Sequence, residues 1–129
     1  MNHETIAHAQ VIEQEVDQLN RQLTLIDENL KDLTDLKGSL ESMDKPEVKE
    51  IMVNIGKRVF VPVTIKEKKL LIDVGKNNFV KKTIPESFAL IDEQIARLLS
   101  GKTQIMERLH ELEEQMEELI KKVESRQKS

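Results

Sequence analysis

Two apolar stripes, each one residue wide and stepping alternately by three and four, constrain this chain more than any other feature. The first runs Ala9, Ile12, Val16, Leu19, Leu23, Ile26, Leu30 and Leu33, passes through Lys37 and reaches Leu40. The second runs Phe88, Ile91, Ile95, Leu98, then Lys102, then Ile105, Leu109, Leu112, Met116, Leu119 and Val123. A period of 3.5 keeps such a line against one partner helix, whereas a helix lying on a broad core needs a wider apolar face. Only 2% of the residues are aromatic, none is Trp or Tyr, and 34% are charged. Buried area must therefore come from Leu, Ile, Val and Met along seams rather than from large rings in a compact core.

The ends of the stripes are marked. Thr83-Ile84-Pro85-Glu86 has the capping-box pattern, with the Thr hydroxyl capping and the Glu reaching back to the Thr backbone. Pro85 is tolerated in a first turn, where its missing N–H has no intrahelical partner. Pro46 disfavours helical geometry at Lys45, so the first helix should stop near Met43 or Asp44. Between the helices the period changes to two. Ile51, Val53 and Ile55 alternate with Met52 and Asn54, and Gly56-Lys57 breaks that run. Val59, Val61, Val63 and Ile65 share one face of the next run, with Phe60, Pro62 and Thr64 on the other. Leu70, Ile72 and Val74 share a face of a third, Gly75-Lys76-Asn77-Asn78 reads as a turn, and Phe79 to Lys82 form a fourth. Pro62 cannot donate to a ladder and belongs on an edge or a bulge.

The expected fold is α+β but mostly α: a long antiparallel two-helix coiled coil with two β-hairpins inserted between the helices. Helix 1 should span about 4–44, the hairpins about 49–83 and helix 2 about 84–126, in a single domain over 1–129. With Met43 near Glu86, residue 5 falls near residue 124.

Several function classes are disfavoured. The net charge is −4, from 20 basic and 24 acidic residues, without the concentrated basic surface that phosphate backbones require. Lys66-Glu67-Lys68-Lys69 and Lys81-Lys82 read as solvated strand edges. There is no cysteine, which excludes disulfides and thiolate metal sites and fits a reducing compartment. The start Met1-Asn2-His3-Glu4-Thr5 lacks the basic and apolar regions of a signal peptide, and no apolar run reaches bilayer length. A cytoplasmic chain with no membrane or nucleic-acid partner is expected. Ser100-Gly101-Lys102-Thr103 imitates the tail of a phosphate loop, but the required upstream glycine is Ala96 and the segment lies inside a heptad run. His3 and His8 do not share a helical face, His110 has no ligand spacing around it, and pairs such as Glu113-Glu114 and Glu117-Glu118 suit a solvated surface. No enzymatic activity, cofactor or metal is expected.

Met52-Val53-Asn54-Ile55-Gly56, Val59-Phe60-Val61-Pro62-Val63, Leu71-Ile72-Asp73-Val74-Gly75 and Asn78-Phe79-Val80-Lys81-Lys82-Thr83, set between two long helices, resemble the alpha class of prefoldin subunits. Lys81 stands where that class usually has Glu, and Lys57-Arg58 where it has a small-residue turn; both bear on which subunits pair. The resemblance implies a hetero-hexamer of two alpha-class and four beta-class subunits, joined through their hairpins. Six coiled coils would hold unfolded client proteins at their tips and pass them without ATP to a group II chaperonin.

On that reading the hairpin residues Ile51, Val53, Ile55, Val59, Phe60, Val61, Val63, Ile65, Leu70, Ile72, Val74 and Phe79 serve subunit assembly. Ile6, Ile12, Val16, Leu112, Met116, Leu119, Ile120 and Val123 are the client-binding candidates. Seam members of that set have a second reading in which they only close the coil; Ile6 and Ile120 lie outside the strict seam and are freer for contact. Lys37 with Gly38, and Lys102 with Gly101, are expected as slack points or bends, or else as lysines whose stems snorkel out of the seam. Two other functions remain open: a structural protein that self-assembles into filaments through its hairpins, and a coiled-coil adaptor for one dedicated partner.

Overall fold

A computed structural model of the chain describes residues 3–128; Met1 and Asn2, part of the chain start considered above, lie outside the described residues. Helix α1 spans His3–Met43, followed by strands β1 Glu50–Gly56, β2 Val59–Thr64, β3 Lys69–Asp73 and β4 Phe79–Thr83, and then helix α2 Ile84–Lys128. Two long helices with two antiparallel strand pairs between them is the expected arrangement.

The chain divides into two compact units. The terminal unit joins α1 up to Leu30 with α2 from Ala96 onward. Ile12 and Leu112 are its most buried side chains, at 3% and 1% exposure, and its other seam positions from Ala9 to Val123 are half-buried. Asp27 bonds Lys102, and Glu15 bonds Arg108, so the helices run antiparallel close to the expected register.

The central unit spans Lys31–Ile95. Leu40, Ile84 and Ile91 form its core, with Leu33, Met43, Leu70, Phe88 and Ile95 packed around them. Ile84 is fully buried and lies seven residues before Ile91, so it continues the heptad one step beyond the stripe read from Phe88. Beside it Ser87 is buried, its hydroxyl donating to the Ile84 carbonyl at 2.6 Å. Neither long helix is interrupted at its glycine, Gly38 in α1 or Gly101 in α2.

The capping box forms at the head of α2. Thr83 Oγ1 accepts from the Glu86 N–H at 3.3 Å, and Glu86 Oε1 accepts from the Thr83 N–H at 3.3 Å and from its hydroxyl at 2.9 Å. Those hydrogen bonds to Thr83 hold the Glu86 carboxyl below the usual glutamate range.

The two hairpins share one device. An Asx side chain accepts from the glycine N–H two residues on: Asn54 from Gly56 and Asp73 from Gly75, both at 2.8 Å. The next residues then take left-handed backbone, Lys57 and Arg58 (φ 47° and 64°) in one hairpin and Lys76 and Asn77 (φ 53° and 61°) in the other. Positive φ at both central residues gives the turn hand that matches strand twist. Lys57 and Arg58 adopt it although residues with a Cβ meet roughly 1–2 kcal/mol of resistance there. β1 pairs with β2 in the register Ile51–Val63 and Val53–Val61, with an irregularity between Asn54 and Gly56; β3 pairs with β4 through Ile72–Val80. Each sheet has two strands, so Pro62 lies on an edge strand, as its missing N–H requires.

Thr83→Ala should destabilise the fold by about 1 kcal/mol, read from denaturant unfolding. Because Glu86 titrates lower when folded, its contribution is complete above the ordinary glutamate value and disappears as pH falls through the lowered one. The melting-temperature gap between wild type and Glu86→Ala should therefore narrow as the pH is lowered through the ordinary glutamate range and below it. A Cβ added at Gly38 would meet open space, so Gly38→Ala should stabilise by about 1 kcal/mol in the same unfolding assay.

Candidate binding surfaces

Seam residues close only the line between the two helices, and what flanks that line decides what the surface can bind. In the terminal unit the side chains of Ile12, Val16, Leu109, Leu112 and Met116 floor a groove of about 630 Å³. Glu13, Asp17, Glu113 and Glu117 border it. Glu13 follows the seam residue Ile12 and Glu113 follows Leu112, so at 100° per residue both project to the same side of the seam.

Residues preceding seam positions project to the other side, and there the chemistry differs. Arg108 Nε and Nη2 donate to the two carboxylate oxygens of Glu15 at 2.9 and 3.1 Å, and Nη1 donates to Glu111 at 3.0 Å. This fork-to-carboxylate geometry is the strong form of the ion pair. Its hydrogen bonds, to Glu15 above all and then to Glu111, hold the guanidinium charged even more firmly than usual.

The seam lysines take the snorkelled form. Lys37 Nζ meets Asp92 at 2.8 Å in the central unit, and Lys102 Nζ meets Asp27 at 2.8 Å in the terminal unit. The hydrogen bond to Asp92 raises the Lys37 pKa. Each lysine stem crosses the seam and its charge is met by the facing helix, which ties the two helices together at the point where the apolar line is broken.

The client-binding candidates separate by exposure. Ile12 and Leu112 are buried, Val16, Met116, Leu119 and Val123 are half-buried, and Ile6 and Ile120 stand 40% and 50% exposed. The structure brings Ile12, Val16, Leu112 and Met116 together on the groove floor. Leu109, a seam residue by its heptad position between Ile105 and Leu112, completes that floor. In the sequence the bordering carboxylates look like solvated surface, because which carboxylates face one another depends on how the helices pair.

The hairpins expose apolar side chains on both faces. Val53, Ile55, Val59, Phe60, Val61, Val74 and Phe79 are exposed, while Ile51, Val63, Ile65 and Ile72 are half-buried. Leu70 is turned onto the central core. Met52 and Leu71 were not among the assembly candidates, yet at 64% and 71% they are among the most exposed apolar residues of the chain. Both lie in strands one position off the chosen faces, and a sheet apolar on both sides defeats a reading based on alternation. A second groove, of about 610 Å³, runs between β3 and the two helices of the central unit, lined by Leu36, Leu40, Leu71, Val74 and Leu90 among others.

The basic clusters are occupied locally. Lys81 pairs with Glu67, Lys68 donates to the Lys45 carbonyl, and Lys82 lies 3.9 Å from Glu86. Among the described residues no group of side chains has a metal-ligand arrangement, and no helix is long and apolar enough to cross a membrane.

Two long helices carrying two inserted hairpins, with apolar side chains exposed on both hairpin faces, define the class of fold. The family profile described as prefoldin subunit matches residues 12–129. The chain belongs to the prefoldin family, whose members are non-enzymatic, chaperone-type proteins that assemble with other prefoldin subunits. Among solved structures it is similar to a chain of the filamentous PFD from Methanocaldococcus jannaschii, with a TM-score of 0.75 and 21% identity, over 94% of this chain and 99% of that one. No curated protein matches the chain.

Proposed function

We propose that this chain is an alpha-class subunit of a cytoplasmic, ATP-independent holdase. In this reading its hairpins join beta-class subunits in a hetero-hexamer of two alpha-class and four beta-class chains. The ends of its coiled coil hold non-native proteins for transfer to a group II chaperonin. The observation that carries the reading is the exposure of apolar side chains on both faces of the hairpins, from Met52 and Phe60 to Leu71 and Phe79. Two-stranded sheets of this kind are marginal by themselves. Long runs of exposed apolar side chains are maintained where another polypeptide covers them.

The client-holding part rests on the terminal unit. Exposed Ile6 and Ile120, together with the open groove over Val16 and Met116, offer apolar contact that none of the described residues covers fully. Each such contact contributes on the order of 1 kcal/mol when partly buried. Single coils would therefore bind weakly and several acting together would bind usefully. Met116 adds a side chain that adapts to irregular partners.

A second reading, self-assembly into filaments through the same hairpins, is favoured by the similarity to a chain from a filamentous PFD. Light scattering separates the two. A discrete species of about six chains, formed only when a beta-class partner is added, supports the hetero-hexamer. Long polymers from this chain alone support the filament. Removing about ten residues from both ends should abolish suppression of client aggregation and leave assembly intact. Protection of clients by the trimmed protein at the full-length level would refute the role given to the coil ends.

A further inference from the structure

The two flanks of the terminal seam are built differently. On one flank Arg108 neutralises Glu15 and Glu111. On the other, Glu13, Asp17, Glu113 and Glu117 border the apolar groove, and among the described residues none of the four has an ion-pair partner. Like charges that flank a coiled-coil seam from both helices repel and weaken the coil, and opposite charges at these positions are the ordinary solution. The chain has cations available: 20 basic residues against 24 acidic ones overall. The two that come nearest, Arg21 one helical turn beyond Asp17 and Lys121 one turn beyond Glu117, form no ion pair with the border among the described residues. Over residues 107–126 seven carboxylates stand against four cationic side chains.

An apolar floor concentrates the field of the carboxylates above it, because field lines avoid the low-dielectric side and collect in the groove. The groove's volume of about 630 Å³ is in the range that admits bulky side chains. We infer that this groove selects cationic amphipathic segments of non-native proteins, seating their apolar side chains on Ile12, Val16, Leu112 and Met116 while their Lys and Arg residues pair with Glu13, Asp17, Glu113 and Glu117. The inference rests on the chaperone reading and narrows its client class. Each pairing relieves a repulsion already present in the free coil, so binding and closure of the coil favour each other. An uncharged apolar segment fits the floor but leaves the border unpaired, and an acidic one is repelled.

Fluorescence anisotropy on the full chain tests this with a labelled amphipathic Leu/Lys peptide and the same peptide with every Lys replaced by Glu. Wild type should bind the Lys peptide at least about tenfold more tightly than the Glu peptide, and the preference should fall as salt is raised. The combined variant Glu13→Gln, Asp17→Asn, Glu113→Gln and Glu117→Gln should lose that preference while melting no lower than wild type. A control carrying Glu4→Gln, Glu107→Gln, Glu118→Gln and Glu124→Gln, which removes equal charge outside the groove, should keep it. Equal binding of the two peptides by wild type overturns the inference, as does an equal loss in the control, which would reduce the effect to overall charge. Suppression of client aggregation, measured on the same proteins, keeps the two claims apart. Suppression without charge preference defeats only this inference, whereas failure to suppress the aggregation of any client defeats the chaperone reading beneath it.

Discussion

Everything in this protein depends on an apolar seam one residue wide. Within each unit two paired helices have little interior beyond the line where they touch, and the buried apolar side chains lie on it: Ile12 and Leu112 in the terminal unit, Leu40, Ile84 and Ile91 in the central one. A slip of one helix against the other would expose these residues and bring charges into the line. Register must therefore be specified strongly. Lys37 and Lys102 serve that end: each interrupts the apolar line and each finds an aspartate on the facing helix, Asp92 or Asp27. Such exposed pairs add little to stability, but they reward one alignment over its neighbours.

The narrow seam has a consequence for the rest of the surface. Since so little apolar area can be hidden inside, the apolar residues of the hairpins remain outside in the single chain. β3 gives up Leu70 to the central core, yet Leu71 one position later is turned outward. The strands are held in shape by local means, namely the Asn54–Gly56 and Asp73–Gly75 bonds and the left-handed turn residues that follow them. The hairpins are thus shaped before they are covered, which suits surfaces that meet other subunits. Lys57 and Arg58 take left-handed backbone although each carries a Cβ, as Lys76 does in the other hairpin.

The coil's two flanks carry a further asymmetry. A bidentate arginine closes one, and four unpaired carboxylates leave the other open above apolar side chains. The ion pairs of one flank tie the helices together, and the other flank carries the groove to which the inferred binding is given.

The sequence by itself determined the elements and their partners. Heptad spacing located both helices, Thr83 to Glu86 located the start of α2, and alternation with Gly75 to Asn78 located the hairpins. In each case a signal confined to a few neighbouring residues decides the local structure. Ile84 was hidden by its place inside the capping box, although it obeys the same period as Ile91. What only the tertiary structure decided is which side chains meet across the seam: Lys37 with Asp92, Lys102 with Asp27, Arg108 with Glu15, and the convergence of Glu13 and Glu113 on one groove. Those residues are 55 to 93 positions apart in the pairs that bond. The physical reason is that heptad periodicity tells a helix which face to bury and leaves open which flank of its partner each exposed charge will find.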